Sequence, residues 1–509
     1  MNGLIFVVLF VTTITRRLTG KTGSTGSACG RLNLDNVRPF IRCLTGDQCV
    51  QVHDASLKIL SKTGVRVDSE AARSLFEKAG CRVLPDHRVI IPGERVQWAI
   101  DAAPDHVDIY DRTGSPAFTV GQGANHGTRF GIGVTNLYFQ DPETDAVTPF
   151  SIDHVATTAR LAETLTQFDM LATPGIAQDI PPQTADLHTT LLMMANTVKP
   201  LVVLVSEHRC FRTVLDLLGQ IHGNLAERPF VMPYVNPISP LVLNEETIEK
   251  MTMAIERGLP LIFNNYGMSG ATAPITPGGT LALLNAELLA GLVLSQLIRS
   301  GAPVILGSLP AGFDMRSMMS LYTPHTMLLN LACAEMMAYY GLPHSGTSGS
   351  GPGWGPDLLA AGGFWMNHFS SLLGKVGLAP FVGGNFDSMA FSPAAVVYAG
   401  EVIRLSRLFA DGFSLDEPAV ARDEIDTIGP GGNFLLSDLT GALFRDLSYD
   451  SPIWPSMSLD QWQTGGSVSA EAVLRTYAGD LLNHLSPPPD HDELMDRGRL
   501  FIHKRTQGI

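Results

Sequence analysis

From residue 151 onward, short apolar runs alternate with longer stretches whose apolar positions repeat at helical spacing. The short runs fall at 170–173, 201–205, 230–235, 259–263, 304–307, 342–345, 380–382 and 425–428. Between them the 3.6-residue period predicts helices over 184–197, 211–222, 245–257, 281–299, 326–340, 358–374 and 393–410. Continuously apolar strands joined by helices are buried on both faces, which is the signature of a parallel sheet. Eight such units over roughly 260 residues predict an α/β fold, a (β/α)8 TIM barrel. The competing arrangement, an open doubly wound sheet, normally carries a glycine-rich phosphate turn after its first strand. Here that place is taken by Thr173-Pro-Gly-Ile-Ala-Gln178.

The first 150 residues have a different texture. Residues 44–79 read as two helices, with Thr45 and Ser69 as N-caps and a stripe of Val50, His53, Leu57 and Leu60 on the first. His53 on that stripe reads as packing. Residues 89–91 form a short strand, Pro92 opens a helix, and 106–110 and 117–120 alternate as strands do. Residues 136–148 make a hairpin turning at Asp141-Pro142-Glu143-Thr144. The chain therefore divides into an extension (1–30), a helical and β-ribbon cap (31–150), a barrel (151–436) and a C-terminal helical extension (437–509). The last predicted helix, 470–485, is followed by Pro487-Pro488-Pro489.

Composition changes this picture little. Hydrophobic residues make up 45% of 509 and charged residues 17%, as expected of a large core. A net charge of −14 argues against nucleic acid. The six cysteines include no C-x-x-C pair and belong to no Cys/His ligand set, so neither a disulfide framework nor a metal site is expected. Gly3 to Thr15 is strongly apolar but short for a membrane span and lacks a basic leader. A cytoplasmic protein is the first expectation and an exported one the minor alternative.

In a barrel, chemistry sits at the C-terminal ends of the strands. Those ends offer Tyr234, Asn264, Asn265, Tyr266, Phe313, Arg316, Phe386 and Asp387. They hold no H-E-x-x-H, G-x-S-x-G or P-loop. Glu207 and His208 are adjacent, which does not by itself make a dyad. Aromatic faces near a carboxylate suit a quaternary ammonium, which is held by cation–π attraction. For each aromatic the competing role is barrel packing. The stretch 343–357, PHSGTSGSGPGWGPD, combines glycines and prolines with His344, Ser350, Trp354 and Asp357. Counted along the strands, it is the loop after the sixth, facing the mouth.

Several blocks, in order and spacing, resemble the trimethylamine methyltransferase family in its branch without pyrrolysine, which includes glycine betaine methyltransferase. They are LTGDQCVQVHDASLKILSKTGVRVDSEAARSLFEKAGCRV from Leu44, NTVKP at Asn196, NPISPL at Asn236, Gly267 to Ser308, DMRS at Asp314, YYGLP at Tyr339 and IGPGGNFL at Ile428. The resemblance implies a (β/α)8 barrel that moves a methyl group from a methylated amine to the cobalt of a separate corrinoid protein. It implies no cofactor held tightly by this chain, a quaternary amine such as glycine betaine as substrate, and a possible homo-oligomer. Ser350 aligns with the pyrrolysine position. Pro352 and Trp354 replace the aspartate and lysine of relatives, while Asp357 is kept. For such a substrate Tyr234, Tyr266, Phe313, Trp354 and Phe386 are the candidates for an aromatic cage, and Asp387 for balancing the ammonium. His344, Asn264, Asn265 or Arg316 holds a substrate carboxylate, and His344, Ser350 and Asp357 are the catalytic candidates in the loop. The alternatives are a catalytically silent amine-binding barrel, demethylation of trimethylamine or another methylamine, and an unrelated barrel lyase or hydrolase.

Overall fold

The computed structural model describes residues 36–122, 127–133, 135–223, 225–347, 349 and 351–506. The N-terminal apolar stretch, Cys29 and Ser350 lie outside the described residues. Eight parallel strands close into a ring: β1 (Arg129–Ile132), β2 (Met170–Ala172), β3 (Leu201–Val203), β4 (Val231–Val235), β5 (Leu261–Ser269), β6 (Val304–Asp314), β7 (His344–Ser345) and β8 (Leu378–Val382). Closure comes from β8 pairing with β1 and β5 with β6. Each strand is followed by a helix: α1 (Ile152–Thr164), α2 (Pro182–Asn196), α3 (Phe211–His222), α4 (Glu245–Glu256), α5 (Pro277–Ile298), α6 (Pro324–Tyr340), α7 (Leu358–Leu373) and α8 (Pro393–Asp411).

The barrel is the expected one, but its count is displaced by one strand. Residues 425–428 end the helix Arg422–Ile428 rather than forming a strand. Ile425 and Ile428 stand three apart, the spacing of one helix face. The missing strand is β1, inside the stretch assigned to the cap, so the barrel begins at Arg129 and not at residue 151. Its sequence, RFGI, is neither apolar throughout nor strictly alternating. A Cβ on Gly131 would lie 2.6 Å from Met170 Cγ and 2.9 Å from the Pro380 carbonyl, so glycine lets β1 fit between β2 and β8. In consequence the stretch 343–357 follows the seventh strand, not the sixth.

The cap blocks expected before the barrel serve two surfaces. The hairpin His106–Tyr110 with Pro116–Gly121 turns Val107, Ile109, Phe118 and Val120 into the barrel. There they pack with Met170, Val202, Met232, Ile262, Ile305 and Leu378 and plug the N-terminal end. Arg129 lies over the Phe118 ring at 5.6 Å. The helices Gly46–Lys58, Glu70–Lys78 and Gly93–Ala102 cover α5. That helix is apolar all round and long enough to cross a membrane, yet 89% of its most apolar window is buried inside the protein. Thr45 caps the first of these helices in a reciprocal box with Gln48, whereas Ser69 occupies the N-cap position without a side-chain bond. His53 packs as expected, its Nδ1 3.0 Å from the Tyr340 hydroxyl.

The hairpin strands Tyr138–Gln140 and Val147–Pro149 join Ala390–Phe391 above the mouth. At the C-terminus, Ala470–Asn483 packs on α8, and a further helix, His491–Thr506, lies against α2 and α3. The triple proline conceals this second helix from a sequence reading. Its Leu494, Met495, Phe501 and Ile502 are nonetheless spaced for one buried face.

Candidate functional site

Strand parity decides which residues reach the barrel interior. Tyr234 on β4 is in register with Ile262, an interior residue, so Asn264 and Tyr266 on β5 face inward as well. Asn264 is paired with Gly307 and Gly307 with Ser345, and Asn264 Nδ2 stands 3.3 Å from Ser345 Oγ. The Asn264 side chain also lies beside the Tyr234 phenol, whose ring meets Phe381 edge-on at 5.4 Å. Asn264 Oδ1 is buried with no hydrogen-bond partner.

Beyond the barrel, β5 and β6 continue as a paired ribbon as far as Ser269 and Gly312. Met319–Leu321 folds back on the end of β6, opposite Gly312 to Asp314. This return brings the Ser320 and Tyr322 side chains close to the Tyr266 hydroxyl. Tyr322 also lies within electrostatic reach of Tyr266, Asp387 and Tyr234, so the four form one cluster. Burial pushes the pKa values of all three phenols up, so at neutral pH they are neutral walls.

Asp387 is the carboxyl member of the cluster. It sits in a run of three left-handed residues after β8: Phe386 (φ 51°), Asp387 (51°) and Ser388 (78°). Each such residue costs about 1–2 kcal/mol outside glycine, and such strain persists only where the surroundings enforce it. The enforcing partners are the loop glycines. Phe386 N–H donates to the Gly353 carbonyl at 2.9 Å, and Asp387 N–H to the Gly351 carbonyl at 3.1 Å. The Tyr322 backbone lies close to the Asp387 carboxylate, whose Oδ1 is buried without a partner among the described residues. Burial raises its pKa above the usual aspartate range. Beside Tyr234 a cavity of about 260 Å³ opens between Thr135, Ser206, Asn236, Thr247 and Lys250.

Other candidates are placed elsewhere. His344 is in register with Leu306, which packs in the layer behind the strands, so its ring faces the helices and not the mouth. Its Cε1 lies beside Gly346, where Asn330 Oδ1 and Val376 also converge. Both ring nitrogens are buried without partners among the described residues, and burial pushes the pKa down to about 3. Asn265 also points outward, donating to the Leu284 carbonyl and to Glu287 at 2.8 Å each. Asp357 is the N-cap of α7, accepting the N–H groups of Ala360 and Trp354. Arg316 is exposed in a turn built on Asp314, which accepts the N–H groups of Arg316 and Ser317. Trp354 is 67% exposed, its carbonyl bonded by Gln140 Nε2. Phe313 and Phe386 are half-buried at the mouth. His208 Nδ1 lies 3.5 Å from Glu207 and 3.2 Å from Glu246, in a partly exposed carboxylate pair. Among the described residues no group of three His, Cys, Asp or Glu is placed to hold a metal. Tyr322, Ser345 and Phe381 were not among the sequence candidates. Tyr322 had a signal, an aromatic just before the capped start of α6.

A neutral buried His344 has a consequence for stability. The unfolded chain binds a proton at its usual pKa near 6.5, while the folded chain does not until about pH 3. Stability therefore rises with pH across this window and is lost as pH falls below ~6.5, by up to ~1.4 kcal/mol per pH unit. Urea unfolding at pH 7, 6 and 5 is expected to show a shallower pH slope for His344→Leu than for the parent. An unchanged slope would mean that His344 is not buried neutral. Arg316→Ala, by contrast, is expected to leave the urea midpoint within ~0.5 kcal/mol of the parent.

The family model for trimethylamine methyltransferase (MTTB) matches residues 15–509. A trimethylamine methyltransferase MttB of Desulfitobacterium hafniense is 29% identical over 448 residues, 87% of this chain and 90% of that one. Another, from Methanosarcina barkeri, is 28% identical, covering 90% and 94%. A glycine betaine methyltransferase of D. hafniense is 26% identical, covering 92% and 98%. The crystal structure of the M. barkeri monomethylamine methyltransferase (MtmB) superposes with a TM-score of 0.52 at 11% identity, over 88% of this chain and 89% of that one, and shares the barrel fold. The chain belongs to the trimethylamine methyltransferase (MTTB) family.

Proposed function

We propose that this protein transfers a methyl group from a quaternary amine resembling glycine betaine to the cobalt of a corrinoid carried by a separate protein. The observation that carries this reading is the mouth cluster of Tyr234, Tyr266 and Tyr322 with Asp387 Oδ1, which has no partner among the described residues. Neutral aromatic walls and one buried anion attract a permanent cation. In the transfer, the carbon–nitrogen bond breaks with its electron pair left on nitrogen. The departing amine is then neutral and needs no proton, which agrees with phenols held protonated and a neutral His344. The barrel's share is to orient the methyl–nitrogen bond outward and to keep water away; the plugged floor leaves the mouth as the way in. The acceptor supplies the strong nucleophile.

Demethylation of trimethylamine is the second reading. Several relatives bear that name, and a protonated tertiary amine has an N–H that Asp387 Oδ1 can accept. Calorimetric titration with glycine betaine, trimethylamine and a neutral tert-butyl isostere of betaine separates these readings. Betaine is expected to bind, and the isostere to bind at least tenfold more weakly. Preferential binding of trimethylamine favours the second reading, and equal binding of the isostere removes the cage. Binding followed by no methyl transfer to any corrinoid protein would leave a silent binding barrel.

A further inference from the structure

The chain carries an arm that no other part of the described residues covers. It leaves the body at Phe413–Ser414, which pairs antiparallel with Asn36–Val37. It returns at Tyr449 and Asp450, held by Arg404, and at Ile453, which packs on Ala394 and Val397 of α8. In between, the helices Glu417–Val420, Arg422–Ile428 and Asp438–Leu447 contain no buried residue. Leu435, Leu436, Leu443, Phe444 and Leu447 are all exposed, Leu436 by 93%. Helices this short are marginal in water unless an apolar face is packed.

The same chain offers a complementary surface. A groove of about 330 Å³ has apolar walls of Phe40, Ala334, Tyr339 and Leu373, with exposed Arg42 and Lys375 beside them. Glu335 in its wall is engaged by the N–H groups of Cys43 and Leu44. No arm residue lines this groove within one chain. The arm is acidic as well as apolar: residues 415–450 hold eight carboxylates against Arg422 and Arg445. Charge and apolarity therefore match between arm and groove.

We infer that the arm of one protomer docks in the groove of a second copy of this chain, reciprocally about a twofold axis. A stable dimer buries roughly 800 Å² per partner, from about 20–30 residues a side, and the stretch 415–450 supplies enough chain. Position excludes a shuttling partner. α8 descends from the mouth, so the arm leaves at the plugged end of the barrel, beside the C-terminal ends of α6 and α7 that form the groove. A protein that visits the mouth for each turnover does not cover that end. Extensive apolar contact is the mark of permanent, isologous interfaces.

Light scattering of the full chain at micromolar concentration is expected to give twice 54.7 kDa or an even multiple of it. The double variant Leu436→Asp/Leu447→Asp is expected to halve the mass, and Arg42→Glu/Lys375→Glu to raise the dissociation constant at least tenfold. Adding Asp438→Arg/Asp446→Arg to the groove variant is expected to recover affinity. If the leucine variant fails to fold, the surface charge swap alone decides. A monomeric parent, an unchanged mass in both variants, or assembly only when a corrinoid protein is added would overturn the inference.

Discussion

Asp387→Asn is expected to weaken binding of a quaternary amine by roughly 30- to 5,000-fold, or about 2–5 kcal/mol, the range for removing one partner of a buried charge pair. The substitution keeps the side chain's shape and an oxygen acceptor, so it isolates the charge. Affinity should also depend on pH with a known sign. Burial raises the Asp387 pKa, so the carboxylate protonates at a higher pH than an ordinary aspartate. Binding of a permanent cation weakens as pH falls through that value, and this dependence disappears in Asp387→Asn. Titration calorimetry of both proteins across pH 8 to 4 checks the two effects together. Equal affinities at pH 8 would exclude Asp387 as the counter-charge.

Gly349→Ala is expected to lower turnover about 100-fold, although residue 349 is not among the groups facing the substrate. A Cβ there would lie 1.8 Å from the Phe381 carbonyl oxygen and 2.4 Å from Val382 Cα, and neither backbone atom on β8 can yield. The loop must then lift from the strand. Its Gly351 and Gly353 carbonyls are what hold Phe386 and Asp387 left-handed, so the carboxylate moves with it. A displacement of about 1 Å at a reacting centre costs on the order of 100-fold, while the overpacking itself costs about 1–3 kcal/mol of stability. Steady-state kinetics beside a urea midpoint distinguish the two. Wild-type kcat with a lowered midpoint would show that the loop does not position Asp387.

This role for the loop was only half legible beforehand. Its glycines announced close backbone approach, and Gly349 against β8 bears that out, but its polar side chains looked like the chemistry. Asp357 turns out to cap α7, and Trp354 faces solvent. The helix Ile152–Thr164 was not among those expected, but the other seven barrel helices were readable to within about one turn because caps and apolar stripes are local signals: Phe211–His222 ends where Gly223 breaks the pattern. β1 was not, because RFGI owes its place to neighbours more than 30 residues away. The site suffered from parity. Asn264, Asn265 and Tyr266 are consecutive, and only register shows that Asn265 turns away to Glu287. His344 is lost in the same manner. Tyr322 joins the site through the return strand at the end of β6, a strand that continues past Pro310 although the continuous apolar run ends before it.

The most direct test of the mouth cluster as a methyl-donor site is a spectrum. The protein, glycine betaine and a corrinoid protein reduced to cobalt(I) are mixed without oxygen, and the visible absorbance is followed. The mechanism proposed predicts loss of the cobalt(I) bands with growth of methyl-cobalt absorbance, one methyl per betaine consumed, and at least 30-fold slower growth with Asp387→Asn at subsaturating betaine. No spectral change with betaine or any other quaternary amine would contradict it.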